Sequence, residues 1–113
     1  MHEYSIVLSL LDSCQEQAKQ NKATKVNKVV VKIGVLSGVE PDLLQIAFDT
    51  FKEDTICSQA KFIIDIQKVI IECKNCHIKS TLDTHQYSCP ICESIDIEIL
   101  DGEDMLLMQL ELE

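Results

Sequence analysis

The chain has 113 residues, 46% of them apolar, with a net charge of −9 and six cysteines. That size suits one compact domain with a small appendage, and the apolar content excludes global disorder. The acidic balance argues against a nucleic-acid partner, because binding a phosphate backbone needs a basic face. No apolar run is long enough for a membrane span. The N-terminus lacks the basic region, apolar run and small-residue cleavage site of a secretory signal, so a cytoplasmic protein is expected.

Val7, Leu10, Leu11, Cys14 and Ala18 recur at helical spacing and predict an amphipathic helix over about residues 4–21. Glu3 stands at its start, where negative charge suits the helix dipole, and Cys14 on the apolar stripe reads as a packed thiol. A strand is expected over 25–35, with Val29, Val31 and Ile33 on one face and Lys28, Val30 and Lys32 on the other. The stretch L-S-G-V-E-P-D breaks it. Pro41 suits the first position of a second helix, capped by Glu40, whose apolar face is Leu44, Ala47, Phe48 and Phe51.

Residues 62–73 predict a second strand whose alternation changes phase around Lys68, as a bulge or bend would. Ile95, Ile97 and Ile99 alternate in a short strand; D-G-E-D is a turn; Leu106, Met108, Leu110 and Leu112 alternate in a last one. The expected fold class is α+β: two helices packed on a small mixed three-stranded sheet, with an inserted zinc-ribbon-like subdomain. The expected division is 1–71 plus 101–113 for the body and 72–100 for the insert.

The insert carries two C-x-x-C pairs, Cys73/Cys76 and Cys89/Cys92, a dozen residues apart. Each pair can chelate from one tight turn, and the intervening length lets the chain fold back and close four thiolates around one ion. Zn²⁺ accepts that tetrahedral set without geometric or redox penalty, and four protein ligands leave no open position, so the site reads as structural. Two disulfides would need an oxidising compartment that nothing else supports. A rubredoxin-like iron site would favour glycine after each pair, where His77 and Glu93 stand. His77 and His85 flank the site, either as polar loop residues or as accessory metal ligands.

His2 carries a second set of donors. The chain amine, the His2 amide nitrogen and its imidazole can close adjacent chelate rings, a near-planar set that favours Ni²⁺ or Cu²⁺. An exposed, inert His2 is the competing reading. Glu40 has the same ambiguity, as a plain helix cap or as a carboxylate near a metal held at the chain start; Asp42 reads as a first-turn acid.

Taken together, M-H-E at the start, V-V-V-K-I-G-V-L-S-G-V-E-P-D in the middle and the late paired C-x-x-C resemble the HypA family of hydrogenase and urease nickel-incorporation factors. The resemblance spans nearly the whole chain. It implies a nickel metallochaperone, not an enzyme, with His2 and its amide nitrogen as central nickel ligands and Glu3 and Glu40 contributing. It implies transient Ni²⁺ and structural Zn²⁺ on Cys73, Cys76, Cys89 and Cys92. The implied partners are a HypB-type GTPase, the [NiFe]-hydrogenase large-subunit precursor and, in some bacteria, urease maturation proteins. Monomer and homodimer both stay open. Where some members have His beyond the second pair, this chain has Glu93, Ser94 and Ile95, so a switch of ligands to two histidines lacks one partner. The rival functions are a zinc-ribbon protein–protein adaptor with no nickel role and a redox enzyme cycling its C-x-x-C pairs.

Overall fold

The computed structural model describes residues 2–82 and 87–113, with His2 described by its backbone alone. In chain order the elements are α1 (His2–Gln20), β1 (Val26–Gly34), α2 (Pro41–Phe51), β2 (Lys61–Gln67), β3 (Val69–Cys73), β4 (Lys79–Leu82), β5 (Ile97–Asp101) and β6 (Met105–Leu112). They form two three-stranded sheets, ordered β2-β1-β6 and β4-β3-β5. The molecule is elongated, 52 × 28 × 17 Å.

The larger lobe follows from two periodicities meeting. β1 runs parallel to β2 and antiparallel to β6, so it is the central strand. Its Val29, Val31 and Ile33 are buried in one cluster with Val7, Leu10, Leu11 and Cys14 of α1 and Leu44, Ala47 and Phe48 of α2. Phe48 stacks on Phe62 of β2 with ring centroids 4.2 Å apart, which closes the helix layer onto the sheet. Fully burying one such side chain contributes about 1.5–3 kcal/mol.

The phase change at Lys68 is more than a bulge. The expected single strand is two, β2 and β3, and they belong to different sheets. One residue therefore carries the chain from the large lobe to the small one. The return takes three residues, 102–104, between β5 and β6. The last strand also departs from simple alternation. Val31 pairs with Leu107 but Val30 with Gln109, so Met108 is the extra residue of a bulge. In consequence Met105 and Leu110 pack on the core while Leu106 and Met108 are exposed. Strand β4, K-S-T-L, has no apolar alternation to announce it; its single buried residue, Leu82, joins Val69 and Ile71 in the small lobe's core.

Backbone contacts fix the joint between the lobes. Leu36 N–H donates to Gly102 O at 2.8 Å, Val35 N–H to Gln67 O at 3.0 Å and Gly34 N–H to Asp104 O at 2.9 Å. The Leu36 side chain packs against the small lobe's core. Lys32 Nζ reaches Asp101 Oδ2 at 3.0 Å. The ammonium of Lys32, helped by the Gly102 N–H, holds the Asp101 carboxyl below its usual value. A depressed folded pKa stabilises above the unfolded value, about pH 4, and that contribution disappears as pH falls through the folded pKa. Asp101→Asn is therefore expected to lower the urea midpoint at neutral pH and to flatten the acid limb; acid limbs that superimpose would assign the pair no role.

Candidate metal centres

The four cysteines sit on two turns of the same construction. Cys73 ends β3; its N–H donates to Ile78 O at 3.1 Å and the His77 N–H returns to Cys73 O at 2.9 Å. In the second turn Cys89 N–H donates to Ser94 O at 2.8 Å and Glu93 N–H to Cys89 O at 2.9 Å. The residue after each pair is left-handed, with φ of 60° at His77 and 65° at Glu93. This conformation usually calls for glycine, and each non-glycine residue holds it at a cost of about 1–3 kcal/mol. Lys74 N–H bonds Asp96 O at 2.9 Å and brings the turns together.

The result is a set of four sulfurs within 4.8 Å of one another. Cys73 Sγ lies 3.5 Å from Cys92 Sγ, and Cys76 Sγ lies 3.7 Å from Cys89 Sγ. A regular tetrahedron with metal–sulfur bonds of about 2.3 Å has edges of about 3.8 Å. The donor set therefore fits a tetrahedral, thiolate-loving ion such as zinc. Backbone donors are already aimed at it: the N–H groups of Asn75 and Cys76 lie 3.4 Å from Cys73 Sγ, and that of Ile91 lies 3.4 Å from Cys89 Sγ.

These donors set the thiol electrostatics. The Ser94 N–H and then the Asn75 amide pull the Cys92 thiol down to about 6. The Cys92 and Ile91 N–H groups lower Cys89. At Cys76 an Ile78 N–H pulls down, but burial and the other three sulfurs outweigh it and push the thiol up to about 12. The sequence reading missed Asn75. Its Nδ2 stands 3.6 Å from Cys92 Sγ, so a residue inside the first pair solvates a ligand of the second. A polar amide within C-K-N-C was the available signal. His77 is exposed and is not among the clustered ligand atoms, and His85 lies outside the described residues.

The second candidate centre is the start of α1. His2 is its first residue, so the His2 amide has no carbonyl to receive it within the helix. The His2 side chain lies outside the described residues. Glu3, half-buried, accepts the Glu40 N–H on Oε2 at 3.3 Å. Glu40 is the N-cap of α2 ahead of Pro41, as the sequence suggests, but its carboxylate makes no capping bond. The first turn of α1 lies across α2, held by an edge-to-face contact of Tyr4 with Phe51, centroids 5.3 Å apart. Asp42 is exposed in the first turn of α2. Thus residues 3 and 40 are brought together by packing of the two helices.

Comparison with known proteins agrees with this architecture. The family profile described as "Hydrogenase/urease nickel incorporation, metallochaperone, hypA" matches residues 1–112. The chain is 54% identical to the hydrogenase maturation factor HypA of Shewanella oneidensis, over all of this chain and 96% of that one. It is 50% identical to that of Aquifex aeolicus, over all of this chain and 98% of that one. The solution structure of the nickel metallochaperone HypA from Helicobacter pylori superposes with a TM-score of 0.69 at 39% identity, covering 97% of this chain and 96% of that one. The two helices, the mixed sheet, the four-thiol lobe and these matches agree: the chain belongs to the HypA family of hydrogenase and urease nickel-incorporation metallochaperones, which are maturation factors and not enzymes.

Proposed function

We propose that this chain takes up Ni²⁺ at its N-terminal end and passes it to a [NiFe]-hydrogenase large-subunit precursor, working with a HypB-type GTPase in the cytoplasm. The imidazole and amide nitrogen of His2 are the principal donors, the chain amine closes the adjacent chelate ring, and Glu3 and Glu40 contribute. The observation that carries the reading is the Glu3–Glu40 hydrogen bond, which joins the start of α1 to the cap of α2 beside an amide with no helical partner. Nitrogen donors with carboxylates suit Ni²⁺. An edge site built from a chain end can release its cargo. The lobe of α1, α2, β1, β2 and β6 is the nickel-binding body. The lobe of β3, β4 and β5 is a zinc-binding subdomain in which Cys73, Cys76, Cys89 and Cys92 hold a resident Zn²⁺; that closed set retains its ion.

The test is a nickel titration of the tag-free chain, His2→Ala and a version extended before Met1. Mutation removes the imidazole, and extension removes the free amine. Both are expected to lose nickel binding while zinc content stays unchanged. Undiminished nickel binding in both would overturn the assignment. Loss in His2→Ala alone would remove the amine from the ligand set and keep His2.

A further inference from the structure

Strand β6 begins M-L-L-M-Q-L, a run without charge in a chain of which 26% of residues are charged. It is also the edge of its sheet. An edge strand presents a row of unpaired N–H and C=O groups, and proteins blunt such edges with charge, proline or short length. Among the described residues the other three sheet edges follow that rule. β2 carries Lys61 and Asp65; β4 has only 4 residues; β5 has 5, with Glu98 and Asp101 among them. Residues 105–110 of β6 have no such guard, and Leu106, Leu107 and Met108 are exposed in succession. We propose that this edge docks a second copy of the same chain, by antiparallel pairing of the two β6 strands into one continuous sheet.

The occupant follows from self-complementarity. A two-fold interface sets one surface against itself, so a charge near the axis repels its own copy. The uncharged run avoids this. With Met105 of one copy opposite Leu110 of the other, Leu106 meets Gln109 and Leu107 meets Met108. The bulge makes this register possible. In the ladder with β1, Met105 and Leu110 lie opposite Ile33 and Val29, so both point to the helix side. Leu106 and Gln109 lie opposite Lys32 and Val30, so both point away. In a regular strand residues 105 and 110 would fall on opposite faces and could not pair. The extra residue puts them on one face, and the pattern then matches its own reverse.

Room for the added strand lies beside β6. Cavities of about 440 and 410 Å³ run between α1 and β6 and share Ser13. The exposed α1 residues that line them are Ser5, Ser9, Ser13 and Gln17, again uncharged. The helix-side Met105 and Leu110 of the second copy enter this space and leave water. At each end of the pairing Asp104 of one copy approaches Glu111 of the other, but Lys28 already holds Glu111 at 3.3 Å. Growth stops at two copies. Pairing uses both β6 edges, and the remaining edge, β2, carries its charges.

The experiment measures the mass of the tag-free, zinc-loaded full chain by sedimentation equilibrium from about 1 μM to about 1 mM. Amide exchange is followed at both ends of that range. The expected result is a reversible dimer in which amides of residues 105–110 gain protection as concentration rises. Salt should strengthen it, because two chains of net charge −9 repel. Met108→Lys and Met108→Glu should each weaken the dimer about tenfold or more, since the axis sets each new charge against its own copy. Zinc content and far-UV signal should stay unchanged, because Met108 is exposed. A native chain that stays monomeric up to about 1 mM would overturn the proposal and leave the edge to a strand of another protein. A dimer undiminished by either charge, or one whose protected amides lie outside β6, would overturn it too. If a variant misfolds, the exchange pattern of the native chain decides.

Discussion

Gly34→Ala is expected to destabilise the chain by about 3 kcal/mol, the upper part of the range for forcing an atom into filled space. A Cβ at Gly34 would stand 2.2 Å from both the carbonyl carbon and oxygen of Gly102 and 2.8 Å from Glu103 N. All three are backbone atoms, so no side chain can turn aside. The overlap falls at the joint where Gly34 and Leu36 bond to the β5–β6 connection, and relief requires the two sheets to part. Gly38 is the internal control. Its φ is +80° but nothing lies within 4 Å of a Cβ there, so Gly38→Ala should cost only the left-handed backbone penalty, about 1–2 kcal/mol. Urea midpoints of the two variants check the contrast; equal midpoints would show that the joint yields without strain.

Cys89→Ala should melt the small lobe and leave the helices folded. Among the described residues, its aliphatic core cluster is Val69, Ile71 and Leu82. Against them stands the ordering of the whole segment from β3 to β5, at about 1–2 kcal/mol of backbone entropy per residue. Bound structural zinc contributes about 10–16 kcal/mol in small zinc modules, which is the size of term this lobe lacks otherwise. Cys89 is fully buried and carries the second turn, so its loss opens the tetrahedron from inside. Amide spectra should show resonances of β3–β5 collapsing while those of α1 and α2 stay dispersed, with zinc absent from the purified variant. Loss of the whole far-UV helical signal would show instead that the lobes fold as one unit.

Much of this protein is written locally. The stripe from Val7 to Ala18, the alternation around Val29–Ile33 and the Glu40-Pro41 cap place α1, β1 and α2 to within about two residues at each end, because each is a pattern within one element. The cysteine turns were legible for the same reason: two ligands three residues apart are local, and the second turn repeats the first. The joint M-H-E, L-S-G-V-E-P-D and C-x-x-C pattern pointed to the family that the comparisons establish.

Tertiary structure decided what depends on distant partners. Lys68 marked a change of phase, but that β2 and β3 enter different sheets follows from what β1 and β5 offer them for pairing. Leu106 and Met108 looked inward by count, and the bulge opposite Val30–Val31 left them exposed. Gly34 carried no turn signal, since its reason is the approach of Gly102 from the far end of the chain. The hydrogen bond between Glu3 and the Glu40 amide arises only when α1 packs across α2. Sequence periodicity records which face each segment buries. It holds no record of which segments those faces meet, and the proposed nickel site is made by such a meeting.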